Sequence, residues 1–236
     1  MEHSARQSED TTGATGLRGR KKAKRREVIL KEAGKLFAAQ GIEATTMAAI
    51  AEHAGVSPPT VFNYFGSKDN LLNSLIFEGA EATRTRWKGN YNRTDQPLAD
   101  ALTGFLGEVS DYTLRIAGKR VWRYAEAMNI RRPNTEFVER FSLLDSELVA
   151  ELARFLNARN LELRSGQDPD PAFLADLFFD RWTAQYLNFI KKDEMKLETH
   201  LGLLGADIEA MVALLFTDDC AQQPTLTLAK ARHGSR

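Results

Sequence analysis

TTMAAIAEHAGVSPPTVFNYFGSK, residues 45–68, decides the reading of this 236-residue chain. Thr46 is placed to cap a helix that carries Met47, Ile50, Ala51 and Ala54 on one face. Gly55 offers the positive φ that a helix end favours, and Val56 an apolar plug behind it. Ser57 is expected to cap a second helix, with Pro58 at the first helical position, where a missing N–H costs nothing. Pro59 lies within the same turn, so Thr60 keeps the first amide that Ser57 can accept from. Two short helices joined so tightly form a helix-turn-helix, whose second helix can enter the DNA major groove.

The wheel of that second helix agrees. At about 100° per residue, Val61 and Phe65 share one side with Phe62 at its margin. Pro59, Thr60, Asn63 and Tyr64 fall on the other side. An ordinary helical hairpin rarely exposes a proline, an amide and a phenol on so short a face. The DNA-binding candidates are therefore Thr46, Ser57, Pro58, Pro59, Thr60, Asn63, Tyr64 and Lys68. Asn63 and Thr60 are assigned to base edges; Thr46, Tyr64 and Lys68 are assigned to phosphates. The two proline rings suit thymine methyl groups.

Residues 41–72, GIEATTMAAIAEHAGVSPPTVFNYFGSKDNLL, closely resemble the DNA-binding segment of TetR-type (tetracycline-repressor-type) transcriptional regulators. The likeness rests on Gly41, Thr45-Thr46, Ile50-Ala51, Ala54-Gly55-Val56-Ser57, Thr60, the aromatic residues around Asn63, Ser67-Lys68 and Leu71-Leu72. The resemblance implies DNA binding, a helical dimer and a small-molecule effector. Two departures are Phe62, where such proteins often carry Tyr, and the Pro58-Pro59 pair, which removes two amides from the helix end.

Composition narrows the class. A 43% hydrophobic content and 7 prolines fit a helical protein with a sizeable core. No apolar run approaches the roughly 18 residues of a membrane span, and the N-terminal residues lack the apolar stretch of a secretory signal. One cysteine, Cys220, excludes an internal disulfide and fits a reducing cytoplasm. Charge is asymmetric although the net is zero: residues 18–70 hold 10 Lys/Arg against 5 Asp/Glu, and residues 71–236 hold 21 against 24. A basic module on an acidic body suits a protein that touches nucleic acid at one end.

The expected organisation is all-α. Residues 1–22 read as a disordered tail ending in the basic run Arg18–Arg26, seven cations in nine residues, either a solvated tail or an arm on DNA. Residues 23–70 form a three-helix helix-turn-helix domain, its first helix at about 25–40. Residues 71–217 form a larger helical domain for effector binding and dimerisation, and 218–236 a flexible tail. The helix starting at Ser67 is read as the only covalent link between module and body, with Gly79 lowering its stiffness. Further helices are expected at about 97–116, 119–130, a long stretch carrying Phe137 to Leu156, 172–190 and 200–216. The last two are apolar over much of their circumference and are assigned to a two-fold dimer. A charge at Leu204 or Met211 is expected to split it.

Catalytic signatures are missing: there is no Gly-rich phosphate loop, His-Glu-x-x-His pair or paired-cysteine site, and the four histidines are scattered. No catalytic residue, metal ligand or cofactor is assigned. Aromatic and thioether side chains cluster in the body, and their polar tips suit a cavity. Trp87, Phe105, Tyr112, Trp122, Arg123, Met128, Phe178 and Trp182 are the ligand candidates, for a small apolar or aromatic effector. The sequence thus points to a ligand-responsive regulator, most simply a repressor releasing a palindromic operator. The alternative is an activator or architectural DNA-binding protein without an effector.

Overall fold

Ile29, Ala33 and Phe37 recur at steps of four and are fully buried, so the first helix turns a single apolar stripe inward. In the computed structural model, which describes residues 9–87 and 96–226 (side chains from 18 to 82 and from 96), this helix is α1 (Glu9–Gln40). Gly41, at φ +90, ends it with its N–H on the Phe37 carbonyl at 3.0 Å. The helix therefore begins well before residue 25, and residues 9–22 are not the tail expected from composition. Extending a helix that the core has already nucleated fixes one residue per new hydrogen bond, and Arg, Lys and Ala are good helix formers.

α2 (Met47–His53) and α3 (Pro58–Phe65) are the two helices of the motif. α4 (Lys68–Trp87) follows, with Ser67 Oγ accepting the Asn70 N–H at 3.1 Å. Compactness divides the described chain into two units. The first runs to Gly79 and also takes in Ile116–Val121; the second holds Ala80–Arg115 and the chain from Trp122 onward. The helix from Ser67 is thus not the only covalent link, because the chain passes between the units three times.

Within the first unit, Leu71, Leu72 and Ile76 of α4 complete the core under α1. The Gly118 backbone lies against Ala38, and Arg120 Nη1 donates to the Ala39 carbonyl at 2.6 Å, placing a cation at the carbonyl end of α1. Gly79 is a close-approach position: a Cβ there would lie 2.7 Å from Ile116 Cγ2. Its reading as a flexible point in α4 is corrected accordingly.

The second unit is built from α5 (Leu98–Ile116), α6 (Lys119–Arg131), α7 (Glu136–Asn157), α8 (Pro171–Lys191), α9 (Leu197–Leu215) and α10 (Asp218–Gln222), apart from the residues of α5 and α6 already assigned. Thr135 caps α7 through Val138 N (3.4 Å), and Asp170 caps α8 through Ala172 N (2.9 Å) and Phe173 N (3.3 Å). α8 packs between α7 and α9. Arg181 binds Asp207 by Nε at 2.9 Å and Nη2 at 2.6 Å, and Gln185 adds a further bond to the same carboxylate, locking α8 to α9. Deeper in, Ser110 of α5 accepts Trp182 Nε1–H (2.9 Å) and shares a hydrogen bond with His200 Nε2 (2.9 Å). That buried polar knot fixes α5, α8 and α9 in one register.

Leu204 is fully buried inside this unit. It belongs to the chain's own core, so a charge there would unfold the unit rather than test a dimer seam. Residues 218–226 are likewise no flexible tail. Cys220 and Pro224 are buried, Asn160 N donates to the Thr225 carbonyl (2.8 Å), and Thr217 N donates to that of Glu162 (3.0 Å). Backbone pairing with the extended stretch 159–164 holds this segment, a non-local effect that its polar composition hides. Residues 227–236 lie outside the described residues.

Candidate nucleic-acid interface

The motif is held by backbone geometry more than by side chains. Gly55, at φ +64, donates to the Glu52 carbonyl (3.1 Å) and Val56 N to that of Ala51 (2.9 Å), the paired bonds of a Schellman end. Thr46 Oγ1 accepts the Ala49 N–H at 3.1 Å, which caps α2 and leaves the hydroxyl proton for an outside acceptor. Ser57 differs from expectation. Its side chain accepts no amide; Thr60 N bonds the Ser57 carbonyl (2.9 Å), and the two hydroxyls bond each other at 2.8 Å. With prolines at both first positions, Thr60 is the first amide available, and the carbonyl reaches it first.

Val61 and Phe65 are buried, while Pro58, Pro59 and Asn63 are exposed and Thr60 and Tyr64 half-buried. Asn63 therefore offers its amide outward. Phe62 is 51% exposed, well beyond a core margin, and adds an apolar ring to the same open surface. The helical wheel sets it beside the core stripe, which hides this exposure from the sequence.

Two phosphate candidates have partners inside the first unit. Lys68 Nζ donates to the carbonyls of Glu43 (3.1 Å) and Thr45 (3.0 Å), using two of its three protons to hold the loop before α2. Thr45, almost wholly buried, donates to the Gly41 carbonyl at 2.6 Å and accepts from Gln40 at 3.2 Å in the same loop. Tyr64 donates its hydroxyl proton to the Lys22 carbonyl at 3.3 Å, tying the recognition helix to the basic part of α1. In this geometry Lys68 and Tyr64 position the motif, and the free cations lie elsewhere.

Those cations are on α1. Arg26 is used internally: it pairs with Glu78, bonds Ser74 Oγ at 3.1 Å and covers the Phe65 ring at 4.9 Å. Arg18, Lys21, Lys22 and Arg25 are exposed at steps of three and four, forming one cationic stripe.

The effector candidates belong to the second unit, and the Trp87 side chain lies outside the described residues. Trp122 Nε1 donates to the Thr113 carbonyl (2.7 Å), and Trp182 is bonded as above and stacks on Tyr186 at 5.0 Å. Arg123 is held by the Ile190 carbonyl and Asp193, each at 2.6 Å. Phe105 packs on Phe155 (5.6 Å) and Phe178 is fully buried; Tyr112 and Met128 are half-buried. Most polar tips expected to face a ligand are thus satisfied within the fold. Among the described residues no His, Cys, Asp or Glu cluster fits a metal, and no helix is long and apolar enough to cross a membrane.

The family description "Bacterial regulatory proteins, tetR family" matches residues 29–75. The HTH-type transcriptional regulator TcmR of Streptomyces glaucescens is 31% identical over 178 residues, covering 71% of this chain and 74% of the relative. The chain belongs to the tetR family. The HTH-type transcriptional regulator BetI of Burkholderia mallei is 28% identical over 133 residues, 53% of this chain and 67% of its own. The repressor KstR2 of Mycolicibacterium smegmatis is 29% identical over 84 residues, 36% of this chain and 40% of its own. A transcriptional regulator from Rhodococcus sp. Rha1 shares the fold at a TM-score of 0.61 and 16% identity, covering 80% of this chain and 97% of that one. The tetR-family member described here is a helix-turn-helix transcriptional regulator.

Proposed function

We propose that this regulator is a ligand-responsive repressor that binds a palindromic operator as a homodimer and is released by a small effector. The observation that carries the reading is the face of α3. Asn63 and Phe62 stand open beside two exposed prolines, with the cationic stripe of α1 tied to the same helix through Tyr64. An amide reads adenine edges, apolar rings suit thymine methyls, and lysine and arginine neutralise phosphates. Repression follows the relative whose name states it.

Dimerisation is supported by the outer stripe of α9, where Leu203 (45% exposed), Ala206, Ala210 and Leu214 (77% exposed) line up on the exposed side of the helix. A second copy through this stripe would make an isologous contact and set two recognition helices about 34–36 Å apart, or a multiple of one DNA turn. The test is an operator selection followed by gel-shift titration. Wild-type protein is expected to select a palindrome, and Asn63→Ala to lose preference at one base of each half-site. An unchanged preference in Asn63→Ala would overturn the base-reading assignment.

A further inference from the structure

Glu126 and Asp145 carry charge into positions where the helical pattern calls for hydrocarbon. Glu126 is one turn beyond Trp122 on α6, and Asp145 one turn beyond Phe141 on α7. The Trp122 and Phe141 rings meet edge-on with centroids 6.4 Å apart, joining the two pairs into one cluster. Neither carboxylate has a hydrogen bond or ion pair among the described residues. Arg123, the base nearest Glu126 along α6, is held by the Ile190 carbonyl and Asp193 instead. Burial raises the Glu126 carboxyl, and burial together with the Glu126 charge raises Asp145 to about 7. No basic group offsets either shift.

A third polar group reaches the same place from α8. Tyr186 is 3% exposed, and its hydroxyl is buried without a hydrogen bond. Thr113 lies beside it, but Thr113 Oγ1 gives its proton to the Ser110 carbonyl at 2.8 Å, and no well-formed bond joins the two hydroxyls. The Glu126 charge acts on the Tyr186 hydroxyl as well. A buried hydroxyl without a partner is costly, and two like charges at half-buried positions with no cation beside them add to that cost. A cation answers both carboxylates, and one that carries an N–H also gives the Tyr186 oxygen a partner.

We propose that Glu126, Asp145 and the Tyr186 hydroxyl form the recognition site for an organic cation, an ammonium on an apolar body. The carboxylates balance its charge, the tyrosine oxygen accepts an N–H, and the faces of Trp122 and Phe141 favour the cation over a neutral isostere. A divalent metal is a poorer occupant, because no third acidic, His or Cys ligand joins the pair among the described residues. This site rests on the effector part of the proposed function and gives that effector its chemistry.

Thermal unfolding and calorimetric titration of the full chain test it, with benzylamine, benzyltrimethylammonium, neutral benzyl alcohol and magnesium chloride as probes. At least one ammonium is expected to raise the unfolding midpoint, with benzyl alcohol and magnesium without effect. Glu126→Gln and Asp145→Asn are each expected to raise the ligand-free midpoint and to weaken the ammonium about tenfold or more. Tyr186→Phe is expected to weaken benzylamine more than benzyltrimethylammonium, which has no N–H. The site is overturned if no ammonium binds, if benzyl alcohol or magnesium shifts the midpoint equally, if both amide variants bind the ammonium unchanged, or if both destabilise the free protein. Anisotropy on labelled operator separates the two readings. Ammonium binding that leaves DNA affinity unchanged removes the effector role and keeps the site. Operator binding with no ammonium response removes the site and keeps the regulator.

Discussion

The two units treat charge in opposite ways. In the DNA-binding unit, cations are matched by defined acceptors: Arg26 by Glu78 and the Phe65 ring, Lys68 by two loop carbonyls, Arg120 by the end of α1. The second unit matches Arg123 with Asp193 and Arg181 with Asp207, yet leaves the half-buried Glu126 and Asp145 without an ion pair among the described residues. A unit that must present one fixed shape to DNA gains from having no electrostatic alternatives. On the proposed function, a unit that responds to an effector gains from a defect that another molecule can remove.

Core variants should show the largest effects. Phe178→Ala removes a fully buried ring and is expected to lower stability by about 3–5 kcal/mol in denaturant titration. Leu204→Glu should be at least as damaging, whereas Leu214→Glu on the exposed stripe should leave the fold intact and give monomers in sedimentation. If Leu204→Glu instead folds normally as a monomer, the division between core and surface of α9 is wrong.

Gly79→Ala comes next. Its Cβ would lie 2.7 Å from Ile116 Cγ2, so overpacking of about 1–3 kcal/mol is expected, read as a lower unfolding midpoint. Asp145 sharpens the contrast through pH. Its carboxyl is held at about 7 in the folded state against an ordinary 3.8, so the folded state binds the extra proton. The stability of the wild type should therefore fall as pH rises from about 4 to 7, by on the order of 1 to 3 kcal/mol from this group, and Asp145→Asn should flatten that slope.

The smallest effects belong to the DNA face. Asn63→Ala should cost about 1–3 kcal/mol at one base and nothing in stability. Lys68→Ala should loosen the loop before α2 and leave the salt slope of DNA binding unchanged. Lys21→Ala should do the reverse, lowering the slope by about one per operator half-site. An equal loss of slope in both would return Lys68 to the phosphates.

What the sequence made legible was local. Thr46, Gly55 and the Val61/Phe65 face depend on neighbours within a turn or two, and their geometry is as the pattern implies. Lys68, Tyr64 and Gly79 depend on partners 23, 42 and 37 positions away, and no local signal carries those. Docking of residues 218–226 escaped notice for the same reason. The acidic pair does carry a sequence signal: Glu126 and Asp145 interrupt core stripes one turn after Trp122 and Phe141, and a stripe counted by its apolar members overlooks a charge in line with them.

Cys220 gives the last of these features a practical value. The thiol is buried, with its Sγ 3.4 Å from the Glu162 N–H and its ionisation pushed up by burial, so it should resist alkylation while the C-terminal segment stays docked. As the only cysteine in the chain, it is a built-in clock: its labelling rate in native buffer counts how often that segment lifts away, and leaves the rest of the molecule silent.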